Sequence, residues 1–253
     1  MRLNRPFHLL ARFYDGLSPG IAEMNRHART RVLGRRLASA RVVCDLACGS
    51  GDTAIDLAKG GRRVHAVDNS AVFVRTVKEK AKRAGVRVLA RRADMRSFRL
   101  PERVDLLLCE FAALNALDRR SDLGRVFRAA ARALKPGGTF AFDVNTPEAF
   151  TSQAVSGHWM ERPEFKLVLH GAVEDGGRRV PLHLEWFLPE RGRYRHVRET
   201  IVHVAWTAKE IRRELARAGF VAIRMFDGAD VRPKAMKTQR GTDLYFRAER
   251  KGT

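Results

Sequence analysis

The sequence predicts an α/β fold: a doubly wound, mostly parallel sheet of seven strands, with helices on both faces and a β-rich insertion after the fifth strand. Three observations support this prediction. Short apolar runs typical of buried parallel strands alternate with segments whose apolar residues recur at helical spacing. A glycine-rich turn at residues 47–51 follows the first apolar run. Beyond residue 145, strand-like segments are separated by turns that contain glycine or proline.

Strand and helix alternate four times in the first part of the chain, which implies right-handed crossovers between parallel strands. The strands are predicted at 41–47, 64–67, 86–89, 104–109 and 139–144, and the helices at 53–59, 70–85 and 121–134. The last of these helices is expected to end at the Lys-Pro-Gly-Gly sequence of residues 135–138.

The second part of the chain is predicted to begin with hairpins and to end by completing the sheet. Its strands are predicted at 165–173, 180–188, 194–206, 220–226 and 242–250. A helix begins at Thr207, where Glu210 completes a capping box. We therefore expect one domain with four parts: an N-terminal helical cap (1–40), a ligand-binding core (41–146), a β-rich insertion or lid (147–206) and a C-terminal part (207–253).

Composition narrows the class of protein. The chain has no uncharged apolar run of about 18 residues and no signal-peptide pattern at its amino terminus, so it is predicted to be a soluble, cytoplasmic protein. Its three cysteines favour neither a disulfide framework nor a zinc site, and no metal is expected. The formal net charge of +21 raises the question of a nucleic-acid partner, but the basic residues are spread along the whole chain.

Acidic residues stand near the carboxyl ends of the first three strands. Asp45 precedes the glycine-rich turn, which holds Ala47, Cys48, Gly49 and Gly51. Ligands of open α/β sheets bind at this edge, where glycine allows close approach of the backbone. Asp68, followed by Asn69, could accept the two hydroxyls of a ribose or could instead cap the next helix. Asp94, followed by Met95, could accept an exocyclic amine or could be an ordinary turn residue.

Together these residues resemble the class I S-adenosylmethionine-dependent methyltransferases, which have a Rossmann-like fold. The resemblance extends from about Val42 to Thr146, and Ala47 stands where the full pattern has its first glycine. It implies that S-adenosyl-L-methionine is the cofactor and S-adenosyl-L-homocysteine the product. It also implies that Asp45, Gly49 and Gly51 belong to the glycine-rich motif. The ribose-binding acid would be Asp68 and the adenine-contacting acid Asp94.

The resemblance places further cofactor and catalytic candidates at two positions. Glu110, Phe111 and Asn115 follow the fourth strand, where the family often places groups that touch cofactor and acceptor. Tyr14, within a Phe-Tyr-Asp sequence, is similar to an element that lies over the cofactor in glycine-type and amino-sugar N-methyltransferases; packing in the core is the alternative. The catalytic candidates are therefore Tyr14, Glu110 and Asn115, with a base needed only for an acceptor that enters protonated.

The sequence thus predicts methyl transfer by in-line displacement to N or O of a small-molecule acceptor. An RNA or protein methyltransferase that uses the basic surface is one alternative, and a non-catalytic binding module is another. The insertion is expected to cover the cofactor and shape the acceptor pocket. Its candidate side chains are His158, Trp159, Trp186, Tyr194, Arg198 and Glu199. The sequence leaves the acceptor and the oligomeric state open.

Overall fold

The computed structural model of the chain describes residues 8–17, 21–153, 157–234 and 240–252. Residues 1–7 and 18–20 of the predicted cap, 154–156 of the insertion, and 235–239 and 253 of the C-terminal part lie outside the described residues. The described residues form one seven-stranded sheet, a separate four-stranded sheet, and helices that pack on both faces of the larger sheet.

The seven-stranded sheet confirms the predicted fold class. Its strands, in spatial order, are β10 (Phe220–Asp227), β11 (Asp243–Arg250), β5 (Leu134–Asn145), β4 (Val104–Cys109), β1 (Val42–Leu46), β2 (Arg63–Asp68) and β3 (Val88–Arg92). The five strands from β5 to β3 are parallel, and β11 is antiparallel to both of its neighbours. The chain leaves β1 on one side for β2 and β3 and returns on the other for β4, which creates the switch point where such folds bind ligands.

Helices cover the two faces because the central strands are apolar on both sides. In β4, Leu107 packs towards one face, whereas Leu106 and Leu108 pack towards the other. The first face is covered by α6 (Arg120–Ala133) and α8 (Ala208–Arg217). The second face is covered by α3 (Arg35–Ser39), α4 (Asp52–Lys59) and α5 (Ala71–Arg83), with α2 (Ile21–Leu33) packed beside them.

Three details of the core differ from the predictions. The helix before β5 ends at Ala133, and residues 135–138 belong to β5 because Leu134 already pairs with Val104. The connection from β3 to β4 contains no helix, so strand and helix do not alternate there as predicted. The strand predicted at 86–89 begins at Val88 and extends to Arg92.

The insertion forms the smaller antiparallel sheet, in the order β6 (His158–Arg162), β7 (Phe165–Gly171), β8 (Arg179–Glu190) and β9 (Arg193–Val204). Strand β6 and helix α7 (Pro147–Gln153) were not predicted. Helix α1 (His8–Leu17) covers the apolar face of this sheet, where its Phe13 ring packs against Phe165 and Trp186. The insertion and the N-terminal helix therefore form one layered unit above the sheet edge.

The C-terminal part returns to the main sheet. Thr207 and Glu210 form the predicted capping box at the start of α8. A short helix, α9 (Gly228–Val231), then packs against α2 between β10 and β11. None of the helices in the described ranges is both long and apolar enough to cross a membrane.

Candidate active site

The glycine-rich turn at the end of β1 forms the floor of a pocket. Ala47, Gly49 and Gly51 all have positive φ values, of 56°, 52° and 88°. A Cβ atom on Gly51 would lie 2.6 Å from Cγ2 of Val77, so the close packing of this turn on α5 requires glycine there. A Cβ atom on Gly49 would meet nothing within 4 Å among the described residues. The backbone at Gly49 is therefore open to close approach by a ligand.

Two carboxylates flank this turn. Asp45 is 3% exposed and lines the pocket, and its Oδ2 atom has no hydrogen-bond partner in the described part of the chain. Burial raises the pKa of Asp45 well above its usual range; nearby Glu110 raises this pKa further, whereas Arg29 opposes the rise. An unpaired buried carboxylate oxygen is costly, and a cationic group in the pocket would remove the cost.

Asp68 links the end of β2 to the glycine-rich turn. Its Oδ2 accepts the backbone N–H of Gly49 at 3.0 Å, and its Oδ1 accepts that of Ser70 at 2.8 Å. The N-cap of α5 is Ser70, whose side chain accepts the Phe73 N–H, so Asp68 is not the helix cap. Burial raises the pKa of Asp68, and its hydrogen bonds to backbone N–H groups oppose the rise.

Glu110 forms a buried ion pair that the sequence analysis missed. Arg29 of α2, only 4% exposed, donates from Nη1 to Glu110 Oε2 at 2.6 Å and to Thr53 Oγ1 at 3.1 Å. Its Nη2 donates to Asp56 Oδ2 at 3.1 Å. Burial raises the pKa of Glu110, and the Arg29 guanidinium opposes that rise. The sequence does carry a signal for Arg29, namely its position on the helix. It lies at helical spacing with Asn25, Ala28 and Val32, on the buried face of α2.

Asp94 is engaged with a neighbour. The Arg96 side chain donates to both carboxylate oxygens, with Nε 2.9 Å from Oδ1 and Nη2 2.5 Å from Oδ2. This pairing lowers the pKa of Asp94. Met95 packs against the core on the side of α6, and Asn69 is exposed, with its carbonyl oxygen accepting from Arg92. A ligand amine at Asp94 would have to share the carboxylate with Arg96 or displace it.

Phe111 projects into the pocket from a strained turn after β4. Phe111 and Ala112 both have positive φ values, of 63° and 52°, in the region that favours glycine. Asp143 Oδ2 accepts the Ala112 N–H at 2.8 Å and so holds this turn. The other oxygen of Asp143 is buried without a hydrogen-bond partner among the described residues, and burial raises the pKa of Asp143 to about 7.

Tyr14 forms part of the roof of the pocket. Its ring meets the Phe73 ring edge-on at 5.3 Å between centroids and the Phe111 ring at 6.5 Å. Burial raises the pKa of Tyr14, and Asp52 and Asp15 add to the rise. The Tyr14 hydroxyl therefore stays protonated near neutral pH and can donate a hydrogen bond but cannot act as a base.

Asn115 lies elsewhere, and its predicted catalytic role is not supported. The side chain is 0% exposed. Its Nδ2 donates to the carbonyl oxygens of Asn145 and Val204, and its Oδ1 accepts the Asn145 N–H. Both Nδ2 donors are used and the side chain is fully buried, so Asn115 fixes β5 and β9 to the short turn after β4 and is not accessible to a substrate.

The six side chains predicted in the insertion do not line the pocket either. Glu199 is buried beneath α1, where it accepts the N–H groups of Leu9 and Leu10 and that of the Trp186 indole at 2.7, 3.1 and 3.1 Å. Arg198 is on the opposite face and pairs with Glu185. The remaining insertion candidates, His158, Trp159 and Tyr194, are exposed. The insertion thus influences the pocket through α1, because its Glu199 binds the amino terminus of that helix.

Comparisons with known proteins identify the class. A family model described as a methyltransferase domain matches residues 43–138. The ubiquinone biosynthesis O-methyltransferase of Methylobacterium sp. (strain 4-46) is 30% identical over 199 residues, covering 73% of this chain and 78% of that protein.

Solved structures agree on the fold. An S-adenosylmethionine-dependent methyltransferase from Clostridium acetobutylicum ATCC 824 superposes with a TM-score of 0.79 at 18% identity, covering 97% of this chain and 99% of that chain. The sugar N-methyltransferase KedS8 from Streptoalloteichus sp ATCC 53650 gives 0.74 at 22% identity, covering 99% and 95%. The chain belongs to the S-adenosylmethionine-dependent methyltransferases, and S-adenosylmethionine is its cofactor.

The pocket fits this cofactor chemically. The unpartnered oxygen of Asp45 suits an ammonium group, such as that of the methionine part. The open space in front of Gly49 lets a ligand approach the backbone. Asp68 uses one lone pair of each oxygen on the backbone and keeps others for hydroxyl donors. The site therefore has polar groups of the right kind for an ammonium group and for ribose hydroxyls.

Proposed function

We propose that this methyltransferase transfers the methyl group of S-adenosylmethionine to a nitrogen or oxygen atom of a small-molecule acceptor. The observation that carries the proposal is the lining of the pocket and its cover by α1. Helix α1 roofs it with Tyr14, Phe111 forms a wall, and Asp45, Asp52 and Glu110 supply carboxylates. A roofed pocket with aromatic walls favours a small organic molecule.

The local charge argues against a polyanionic acceptor. Four carboxylates, those of Asp52, Asp15, Asp68 and Asp143, all act to raise the pKa of Tyr14 at the roof. Lys80 pairs with two of these carboxylates, Asp15 and Asp52, so carboxylates outnumber cations around the roof of the pocket. This excess of carboxylates disfavours an RNA phosphate backbone more than a protonated or neutral acceptor.

The names of two similar proteins also favour a small-molecule acceptor. The Methylobacterium relative is named for ubiquinone biosynthesis and KedS8 for sugar N-methylation, so both names refer to small molecules. We extend only this class of acceptor to the present chain.

The residues of this chain would bind and orient the reactants. The backbone of residues 47–51, including Cys48, together with Asp45, Asp68 and Asn69, would hold the cofactor; Asp94 and Met95 would lie beside its adenine. The sulfonium supplies a methyl group that is already activated, so alignment and exclusion of water can provide most of the acceleration. Tyr14 would close the site and donate a hydrogen bond. Glu110, whose pKa is raised, is the group best placed to accept a proton from a protonated acceptor.

A methyl-transfer screen tests this proposal. The purified enzyme would be incubated with methyl-labelled S-adenosylmethionine and, separately, with amines, alcohols, phenols, total RNA and protein. We expect label in at least one low-molecular-weight acceptor, and Glu110→Gln should reduce kcat more than it changes cofactor affinity. Label in RNA or protein alone would refute the small-molecule assignment.

A further inference from the structure

One edge of the main sheet carries a locally high density of positive charge. Between residues 71 and 92, which contain α5 and the edge strand β3, the chain carries eight Lys or Arg and a single acid, Glu79. Strand β3 is the last strand of the sheet, and α5 packs directly on it. The fold therefore places along one edge of the sheet charges that lie close together in the sequence.

Most of these cations have no acidic partner. Eight exposed residues on α5, on β3 and in the loops that precede and follow β3 have no ion pair with any carboxylate in the described ranges of the chain. They are Lys78, Lys82, Arg83, Arg87, Arg91, Arg92, Arg99 and Arg103. We call this set the β3-edge surface. By contrast, the neighbouring Lys80 is paired with Asp15 and Asp52, and Arg96 is paired with Asp94.

Local structural roles account for only part of this surface. Cations in the last turn of a helix are stabilised by the helix dipole, which explains Lys82 and Arg83 of α5. Charged side chains also protect an edge strand from pairing with another chain, which explains Arg91 and Arg92 of β3. Neither effect requires Arg99 and Arg103, which lie outside both elements.

Arginine side chains spaced along extended chain can contact phosphates that repeat along a nucleic-acid backbone. Arg87 directly precedes β3 and Arg91 lies within it; four residues of extended chain correspond to about 13 Å. Phosphates follow one another at about 3.4 Å per strand along a duplex axis, so this distance spans several of them. The planar guanidinium group can bind a phosphate through two hydrogen bonds.

We propose that the β3-edge surface is a docking site for the phosphate backbone of a nucleic acid, separate from the pocket where methyl transfer takes place. The surface gives affinity without base readout, since it offers charge and no groove-reading element.

The salt dependence of RNA binding tests the proposal. The probe is a fluorescein-labelled oligouridylate of about 20 nucleotides, titrated by anisotropy between about 50 and 200 mM salt. If all eight cations contact phosphates, the slope of log K against log salt should lie between about −5 and −6 for a single strand. The triple variant Lys82→Gln, Arg83→Gln and Arg87→Gln should reduce the size of this slope by about 2.

A matched control removes the same charge elsewhere. Arg128, Arg132 and Arg212 lie on α6 and α8, and they too are exposed with no carboxylate partner among the described residues. Their triple replacement by Gln lowers the net charge equally and should leave the slope unchanged. Binding of S-adenosylhomocysteine by both variants reports that each is folded.

Three results would overturn the proposal. No RNA binding at about 50 mM salt would mean that the surface only protects a sheet edge. An equal loss of binding in both triple variants would mean that total charge, and not this surface, attracts the RNA. Binding to phosphatidylserine vesicles without binding to RNA would assign the surface to a membrane.

Discussion

Asp143 is expected to make the stability of the enzyme depend on pH. Its carboxyl group is 4% exposed, one oxygen has no hydrogen-bond partner among the described residues, and burial raises its pKa to about 7. In the unfolded chain the pKa returns to about 3.9. Between these two values the folded state holds a proton that the unfolded state has released, so stability falls as the pH rises from about 4 to 7 and is constant above. The resulting penalty is about 1.5 kcal/mol at pH 5 and about 4 kcal/mol at pH 8.

The variant Asp143→Asn isolates this penalty. The asparagine oxygen can still accept the Ala112 N–H, and the amide does not ionise. Burying an unpaired amide N–H has its own cost of about 1–3 kcal/mol, which does not depend on pH. Urea unfolding of both proteins at pH 5 and pH 8 measures this effect. The free energy of unfolding of the variant minus that of the wild type should be about 2.5 kcal/mol larger at pH 8 than at pH 5. A difference that does not change with pH would refute the assigned pKa of Asp143.

Three further predictions concern the pocket and its roof. Gly51→Ala should lower the free energy of unfolding by about 2–5 kcal/mol through the clash with Val77. Gly49→Ala should lower it by only about 1–2 kcal/mol and should mainly weaken cofactor binding. Urea unfolding and cofactor titration of both variants distinguish these effects, and equal effects would contradict the prediction. Arg29→Met should lower the free energy of unfolding, measured with urea, by about 3–5 kcal/mol because it leaves Glu110 unpaired. The double variant that adds Glu110→Met should regain most of this stability. No recovery would mean that the lost ion pair is not the cause. Glu199→Gln should weaken the attachment of α1 and raise the Kd for S-adenosylhomocysteine about fivefold, a loss of about 1 kcal/mol in binding free energy. Glu199→Asp should recover part of this affinity. An unchanged Kd would show that α1 stays in place without Glu199.

The core was predictable because local pattern and tertiary environment agree there. Strands such as β4 consist of apolar residues buried on both sides, and the glycine-rich turn marks the end of β1. The prediction failed where pairing overrides local signals. The Lys-Pro-Gly-Gly segment carries a helix-stop signal, yet Leu134 on its amino-terminal side is already paired in the sheet. Strand β6 has a weak apolar alternation and is stabilised by pairing with β7.

The site was predictable only in part. Asp45 and Asp68 lie near the carboxyl ends of β1 and β2, so the strand pattern and the glycine-rich turn sufficed to locate them. Arg29 comes from a helix far away in the sequence, and only the packing of α2 brings it to Glu110. Asn115 has the right position after β4, but its direction is set by β5 and β9, which no local pattern reveals.

Titration of the purified enzyme and of Asp68→Ala with S-adenosylhomocysteine tests the central claim most directly, namely that the pocket at the ends of β1, β2 and β4 is the cofactor site. Urea unfolding of the variant is the control for its fold, because Asp68 also binds the Gly49 and Ser70 N–H groups. We expect micromolar binding to the wild type and at least a tenfold higher Kd in the folded variant, a loss of about 1.4 kcal/mol or more. Equal affinity of the two proteins would contradict the claim and place the cofactor elsewhere.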